Sequence, residues 1–286
     1  MAKRVMFLSM LVMMIYSCIS RLAFAGVDTL VAPMVSNPPA IDGTIGESEW
    51  IPDSKAEITP KTGSWDFGKT EVSYTFYVMY DDDYLYVAAR LTDDDIQTDS
   101  AAEGSINGNT WQDDSIEIFV DGNHNRAPDA FVDAEYPFGG QYVITAGNAV
   151  RFQNSGAKSF GDGPDDDYYA VSDIKDQNHW EMEARLRLDL FGSPKQGDVV
   201  GFNISTNDDD GGGEEEAALF WTGEPPDIYR NEKVWGDLVL GEPFGVSPAS
   251  KLAATWVQVK KAEGGSEIRK KDSSHSLPLS AAKGSE

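Results

Sequence analysis

The stretch Trp111-Gln112-Asp113-Asp114-Ser115-Ile116-Glu117-Ile118-Phe119-Val120-Asp121 joins an aromatic residue, a carboxylate pair and an alternating pattern. From Ser115 onward the aliphatic side chains at 116, 118 and 120 fall on one face of a strand, and Glu117 falls on the other. We therefore predict a half-buried strand over 115–121 with Trp111 at its rim. An indole face beside a strand-fixed carboxylate suits a flat polar ligand, because the ring offers a stacking surface and the carboxylate accepts hydrogen bonds.

Similar alternating segments lie on both sides of this stretch. Residues 71–80 and 85–91 are joined by an Asp-rich turn and predict an antiparallel hairpin, and the most regular alternation runs from Trp180 to Leu190. Residues 26–40 carry three prolines and predict an extended lead-in. Further strands are predicted at 131–136, 141–145, 149–152, 200–204, 217–221 and 234–240. About ten strands with long Asp- and Gly-rich loops and little helical periodicity indicate an all-β fold, an antiparallel β-sandwich.

The composition limits the classes of partner. With 286 residues, 41% of them apolar, the chain can bury a substantial core. Its 23 basic and 48 acidic side chains give a formal charge of −25, which argues against nucleic acid and anionic membrane surfaces as partners. Divalent cations are the natural counter-ions of such a chain.

Residues 1–25 have the organisation of a secretory signal. Lys3 and Arg4 precede an apolar run, and Ala23-Phe24-Ala25 has the small residues of a cleavage site. We expect a secreted or periplasmic protein with no membrane span in its mature chain, since the apolar run is shorter than a bilayer. Lipoprotein processing at Cys18 is the alternative. Cys18 is the only cysteine, so the mature chain would hold no disulfide.

The C-terminal composition differs from that of the preceding domain, which we place at 26–242. From Gly241 the basic residues outnumber the acidic ones by two, and Ser, Gly and Ala are abundant. Residues 243–286 are therefore predicted to form a flexible basic tail. Attachment of a protein partner through this tail is an alternative interpretation.

No motif for catalysis is evident. The chain has no Gly-x-Ser-x-Gly elbow, zinc-protease helix motif or phosphate-binding glycine loop, and its three histidines are scattered. Carboxylate pairs are uninformative among so many acids, although a glycosidase needs only two. We expect no enzyme activity. The Asp-rich segments 93–99, 121–125, 162–167 and 207–210 offer the oxygen ligands that calcium prefers, and the candidate ligands are Asp93, Asp121, Asp166 and Asp208.

Two aromatic residues lie in loops among polar neighbours. Trp111 and Tyr229 would form a slot for a pyranose if they faced each other, because sugar C–H faces stack on aromatic rings. The alternative is that each ring covers part of the core.

The chain from about Ala32 to Glu242 resembles the family 9 carbohydrate-binding modules, β-sandwiches attached to secreted bacterial xylanases. The resemblance rests on segments whose order and spacing match the family: Ile41-Asp42-Gly43 with Trp50, residues 80–87, the stretch 111–121, Gly201-Phe202-Asn203-Ile204 with Asn207-Asp208, and Trp235-Gly236-Asp237-Leu238. It implies structural calcium and a polysaccharide or oligosaccharide partner.

The resemblance also implies a binding site. Trp111 falls on the first of two aromatics that sandwich a sugar, Tyr229 falls on the second, Arg230 follows as in the family, and Glu117 falls on the hydroxyl acceptor. The chain departs from the family at three polar positions: Val143 stands for an arginine, Ser205 for a glutamine, and Pro225-Pro226-Asp227 replaces an asparagine. The reducing-end specificity of known members is therefore not carried over.

Two alternatives from other functional classes remain open at this point. Related sandwich folds hold haem b between a methionine and a second ligand, and Met79 and Met182 are candidate methionines. A surface-assembly or adhesion module is the other alternative, with the basic tail as its attachment signal.

Overall fold

The structure is a computed structural model that describes residues 28–126, 138–152 and 155–244. The predicted signal at 1–25, the predicted strand at 131–136 and almost all of the predicted tail lie outside the described residues. Within the described ranges, no helix is long and apolar enough to cross a bilayer.

The described chain forms thirteen strands. The first six are β1 (Thr29–Met34), β2 (Lys55–Ile58), β3 (Ser64–Trp65), β4 (Ser73–Tyr80), β5 (Tyr84–Thr92) and β6 (Ser115–Asp121). The others are β7 (Gly139–Thr145), β8 (Val150–Arg151), β9 (Tyr168–Asp176), β10 (His179–Arg187), β11 (Val199–Asp208), β12 (Ala217–Phe220) and β13 (Gly236–Pro243). Short 3-10 turns occupy Pro52–Ser54, Thr110–Gln112, Leu188–Phe191, Ile228–Arg230 and Glu232–Val234.

The all-β prediction is confirmed, but the strands form one continuous sheet that is mixed rather than antiparallel. The order is β8-β7-β6-β11-β13-β1-β4-β5-β10-β9, with β12 and β3 extending from β11 and β2 pairing with β4. The predicted lead-in at 26–40 contains β1, which runs parallel to both β13 and β4. Pro33 lies within β1, where the register with β13 shifts between Ala32 and Met34, and Pro38 and Pro39 follow the strand. β2, β3 and β9 were also missed by the sequence pattern.

The two halves of the sheet face each other across one core, as in a sandwich. β4 and β11 are separated in the strand order by β13 and β1, yet the rings of Phe76 and Phe202 lie 6.2 Å apart. The hydroxyl of Tyr74 donates to the carbonyl of Ile204 across the same gap, at 3.0 Å. Burial of these aromatic and aliphatic side chains is the main favourable contribution to folding.

The segment around Ile41-Asp42-Gly43 is held by a buried carboxylate. Glu183 of β10 accepts hydrogen bonds from the backbone N–H groups of Asp42 and Gly43 and from the indole N–H of Trp50, at 2.9, 3.0 and 2.7 Å. Trp50 is 3% exposed. The chain thus closes over the outer face of β4, β5 and β10, where a second apolar cluster includes Met79.

Strand β6 is buried on both faces, whereas the sequence predicts a half-buried strand. Ile116, Ile118 and Val120 face the main core, as predicted. On the opposite face, Phe119 packs with Phe220 and Trp235 in a third apolar cluster. Glu117 lies on that second face and is 4% exposed. This face of the sheet is therefore covered by loops, and a pocket lies between them.

Candidate carbohydrate-binding site

One row of cross-strand neighbours on five strands runs beneath the pocket, and three of its members, Phe220, Glu117 and Arg151, line the pocket. The sheet register places Phe220, Ser205, Glu117, Val143 and Arg151 side by side on β12, β11, β6, β7 and β8. Cross-strand neighbours share a face, and so do residues two positions away along each strand. This rule also brings Asn207, Gln141 and Ala218 to the same surface.

The pocket has a volume of about 570 Å³ and is open to solvent. Trp111, Glu117 and Tyr229 all line it, so the structure brings together three of the predicted site residues. Trp111 lies in the 3-10 turn that precedes β6, and Tyr229 lies in the turn Ile228–Arg230. Such a volume is typical of sites that enclose small organic ligands.

Glu117 is held in a fixed orientation by two amides. The side-chain nitrogen of Gln141 donates to Oε2 at 2.8 Å, and that of Asn207 donates to Oε1 at 3.2 Å. Burial raises the pKa of Glu117 to about 7, and these two hydrogen bonds oppose the rise because they favour the carboxylate. Each oxygen retains acceptor capacity for a further donor, since a carboxylate oxygen has two lone pairs.

Trp111 is oriented by a cation on its face. The guanidinium carbon of Arg151 lies 4.5 Å from the indole centroid, and an Arg151 nitrogen donates to the carbonyl of Gly108 at 3.0 Å. Burial lowers the pKa of Arg151, and the neighbouring charge of Glu117 opposes that effect. Asn207 also donates to the backbone carbonyl of Trp111, at 3.3 Å. Asn207 therefore contacts both the turn that carries Trp111 and the carboxylate of Glu117.

Arg230 lies outside the pocket lining, although the sequence places it in the site. Its guanidinium lies 5.3 Å from the ring centroid of Tyr229 and pairs with Asp227 at 2.7 Å. Arg230 therefore contacts the ring of Tyr229 without lining the pocket, and it can orient that ring.

Several pocket residues were missed from sequence. Val143 is buried and outside the lining, but its cross-strand neighbour Arg151 supplies a guanidinium to the pocket. Gln141, Asn207, Asp66, Phe67 and Glu215 also line it. The alternation along β7 and β11 indicated only which face of the strand Gln141 and Asn207 occupy. Their place in the pocket depends on the register between strands.

The acidic segments form two clusters close to this pocket. In the first, Glu71, Asp93, Asp208 and Asp210 place carboxylate oxygens within 4.8 Å of one another; in the second, Asp99, Asp113 and Asp209 do the same. Asp93 and Asp208 were predicted calcium ligands. Asp121 and Asp166 lie outside both clusters, where they accept backbone hydrogen bonds from Arg126 and Gly163.

The donor chemistry of the clusters fits a hard cation. Oδ2 of Asp93, Oδ1 of Asp208 and Oδ2 of Asp209 are buried with no hydrogen-bond partner among the described residues. Burial and the charge of Asp208 raise the pKa of Glu71 to about 7. Burial and the charge of Asp93 raise the pKa of Asp114, which lies between the clusters, to about 9. Calcium takes oxygen ligands of this kind, and its charge would offset the repulsion.

The candidate haem methionines are both enclosed in apolar packing. Met79 and Met182 belong to different clusters and are each 0% exposed, and neither lines the pocket. The sulfur of Met79 accepts a hydrogen bond from the backbone N–H of Ile51 at 3.4 Å.

A known family matches most of the described chain. The sequence profile described as "Carbohydrate family 9 binding domain-like" matches residues 41–242. The chain belongs to this family. The family match covers every strand from β2 to β12 and all the residues that line the pocket.

Curated relatives carry this domain as one part of a longer protein. The chain is 26% identical over 217 residues to exoglucanase XynX of Acetivibrio thermocellus, covering 76% of this chain and 18% of the relative. It is 25% identical over 232 residues to endo-1,4-beta-xylanase A of Thermoanaerobacterium saccharolyticum, covering 80% and 18%. The chain thus spans less than a fifth of these relatives.

Solved structures show the same fold. A family 9 carbohydrate-binding module from Caldicellulosiruptor kristjanssonii in complex with glucose superposes with a TM-score of 0.56 at 22% identity, covering 77% of this chain and 100% of that chain. The module from the same organism in complex with cellotriose gives 0.53 at 21% identity, covering 77% and 98%.

Proposed function

We propose that this chain is a non-catalytic carbohydrate-binding module that holds a sugar ring between Trp111 and Tyr229. The observation that carries the proposal is the meeting of Trp111, Tyr229 and the buried acceptor Glu117 in one pocket of about 570 Å³. Aromatic faces stack on the C–H surfaces of a pyranose, and the carboxylate accepts its hydroxyl protons. Family membership and the glucose and cellotriose bound by similar modules support this function.

The polar groups beside Glu117 complement a sugar with adjacent hydroxyls. Gln141 and Asn207 each carry an amide oxygen as well as the N–H groups that orient Glu117, and Arg151 offers further N–H donors. A hydroxyl can donate to one group and accept from another, so a mixed set of donors and acceptors suits it. The ligand class that we propose is the end of a gluco-oligosaccharide or of a related polysaccharide.

Binding explains Glu117 better than catalysis does. A pKa near 7 is a property that a general acid shares. Both oxygens of Glu117, however, accept hydrogen bonds from amides, which favours the ionised acceptor over a proton donor. Release of new reducing ends from cello-oligosaccharides, abolished by Glu117→Gln, would contradict the non-catalytic assignment.

The test of sugar binding is isothermal titration of the exported chain with glucose, cellobiose, cellotriose and xylobiose. We expect binding of at least one sugar, and we expect Trp111→Ala and Tyr229→Ala each to weaken it by about 30-fold or more, as for a central aromatic contact. Tyr169→Ala is a matched control, because Tyr169 is a half-buried tyrosine with an arginine 5.6 Å from its ring centroid and lies outside the pocket. Absence of heat with every sugar would reject the function.

Calcium is proposed as the structural cofactor, held by the two acidic clusters. The buried oxygens of Asp93, Asp208 and Asp209 without partners among the described residues support this assignment. The ions would supply positive charge that holds the loops after β5, before β6 and after β11 together.

Export is proposed from the organisation of residues 1–25. Secretion by a bacterial host and N-terminal sequencing would test it, with Gly26 as the expected first residue. An acylated Cys18 at the N-terminus would identify a lipoprotein instead.

A further inference from the structure

Phe67 is an exposed aromatic residue at the pocket that none of the family landmarks includes. Its side chain is 41% exposed, and it lines the same pocket as Trp111 and Tyr229. The other large hydrophobic side chains that are exposed within the described ranges lie outside this pocket. Phe67 therefore offers a ring surface to the part of a ligand that extends out of the space between Trp111 and Tyr229.

The backbone around Phe67 is fixed to the floor of the pocket. Trp65 pairs with Leu219 of β12, and the backbone N–H of Ala218 donates to the carbonyl of Phe67 at 3.4 Å. Gly68 has a φ of +65°, and a Cβ at this position would lie 2.0 Å from the carbonyl oxygen of Glu216. Only glycine fits this approach, so the segment is pressed against the start of β12.

The same segment is connected to the second aromatic wall. A carboxylate oxygen of Asp66 accepts a hydrogen bond from the backbone N–H of Ile228, the residue before Tyr229, at 3.3 Å. The loops that carry Phe67 and Tyr229 are thus joined by a hydrogen bond. This hydrogen bond holds the two loop backbones together before ligand binds, which lowers the entropy lost on binding.

A partly exposed ring on an anchored loop contributes less to the core than a buried one, because the hydrophobic gain scales with the area removed from water. Two acids, Asp66 and Asp227, line the same pocket as Phe67 and offer acceptors to hydroxyl groups. A pocket of about 570 Å³ encloses ligands of drug size, which is closer to a disaccharide than to a monosaccharide. An aromatic platform flanked by acceptors is the arrangement that a second sugar unit requires.

We propose that Phe67 is the stacking platform for a second sugar unit, next to the unit held between Trp111 and Tyr229. This inference rests on the proposed function, and it assigns the preference for an oligosaccharide over a single sugar to a residue of this chain.

The test compares the affinities for cellobiose and glucose by isothermal titration in the wild type, Phe67→Ala and Phe67→Trp. We expect the wild type to bind cellobiose more tightly than glucose. Phe67→Ala should lower the cellobiose-to-glucose affinity ratio about three- to tenfold, the effect of one aromatic stacking contact, whereas Phe67→Trp should keep it. Phe244→Ala is the matched control, because Phe244 is a phenylalanine that is 60% exposed and lies outside the pocket.

Each outcome separates the inference from the function on which it rests. A wild type that binds sugars, with the same cellobiose-to-glucose ratio in Phe67→Ala, would overturn the role of Phe67 and leave the function standing. An equal loss for both sugars would place Phe67 against the first unit and also overturn the proposal. A wild type that binds no sugar would reject both. Circular dichroism and thermal unfolding of Phe67→Ala check that the variant is folded.

Discussion

The pocket around Glu117 and the acidic clusters meet at the end of β11, and they differ in how their polar groups are satisfied. Asn207 of β11 donates to Glu117 in the pocket, whereas Asp208 and Asp209, the next residues, belong to the clusters. Both oxygens of Glu117 have amide donors, while each of the two aspartates has a buried oxygen without a partner among the described residues. Hydrogen bonds from side-chain amides thus satisfy both oxygens of Glu117, whereas each cluster leaves a buried carboxylate oxygen without a partner among the described residues.

The pocket and the clusters therefore differ in what holds their side chains in place. In the pocket, the amides of Gln141 and Asn207 orient the carboxylate of Glu117, and the charge of Arg151 favours its ionised form. In the clusters, carboxylates face each other, and burial together with mutual repulsion raises the pKa values of Glu71 and Asp208 to about 7. A bound cation would remove that repulsion at neutral pH. We therefore expect calcium to affect the free energy of unfolding more strongly than it affects sugar binding in the pocket.

The largest expected effect is that of calcium on stability. Saturating calcium, at about 100 times its Kd, should raise the free energy of unfolding by about 2.7 kcal/mol, which is about 5–10 °C in Tm for a domain of this size. Differential scanning calorimetry with calcium and with a chelator measures the change. Magnesium should have a smaller effect, because it needs tighter octahedral geometry.

Asp208→Asn tests whether the first cluster carries the calcium effect, and Asp166→Asn is its control. Asp208→Asn removes one charge from the first cluster and should reduce the calcium-dependent rise in Tm, while Asp166→Asn, outside both clusters, should retain it. A Tm that is the same with chelator and with calcium would contradict the assignment of the clusters as cation sites.

The second effect concerns the acceptor of the pocket. Glu117→Gln should weaken sugar binding about tenfold or more, because a hydrogen bond to a charged group contributes about 1.5–3 kcal/mol. The variant keeps the size of the side chain, so its Tm should change less than its affinity. Titration calorimetry at pH 8 measures the loss, and an unchanged affinity would remove Glu117 from the site.

The pH dependence of binding gives a third test. Since the pKa of Glu117 is raised to about 7, protonation should weaken sugar binding as the pH falls from 8 to 5.5. Stability responds in the opposite direction: a raised pKa in the folded state means that the contribution of Glu117 is greatest below its unfolded pKa and is lost as the pH rises through 7. Affinity that rises on acidification would show that the protonated acid is the binding form.

The smallest effect is expected from the cation over the indole. Arg151→Met should weaken binding about two- to fivefold, because a partly exposed cation–π contact contributes about 0.5–1 kcal/mol. Arg185→Met is its matched control, since the guanidinium of Arg185 lies 5.0 Å from the ring centroid of Tyr84, outside the pocket. A loss as large as that of Trp111→Ala would mean that Arg151 bonds the sugar directly.

Most of the strands could be predicted from the sequence, because alternation is a local property. The pattern over 115–121 correctly assigned Ile116 and Glu117 to opposite faces, and the 3-10 turn at Leu188–Phe191 shortened the predicted strand that starts at Trp180. The sequence pattern did not predict β1, because the segment contains Pro33, is followed by two more prolines and lacks a regular apolar face. Its parallel pairing with β13 joins residues about 200 positions apart, and such contacts leave no local periodic signal.

The sequence by itself determined the β-class of the fold, the two loop aromatics and the strand glutamate, since each depends on residue type and on period-2 spacing. Only the tertiary structure decided which polar groups join them. Arg151 supplies a guanidinium to the pocket because the register places it beside Val143, and Asp93 meets Asp208 because β5 and β11 end near the same loops. The physical reason is that register and sheet curvature are set by packing over the whole core, whereas alternation is set by neighbours along the chain.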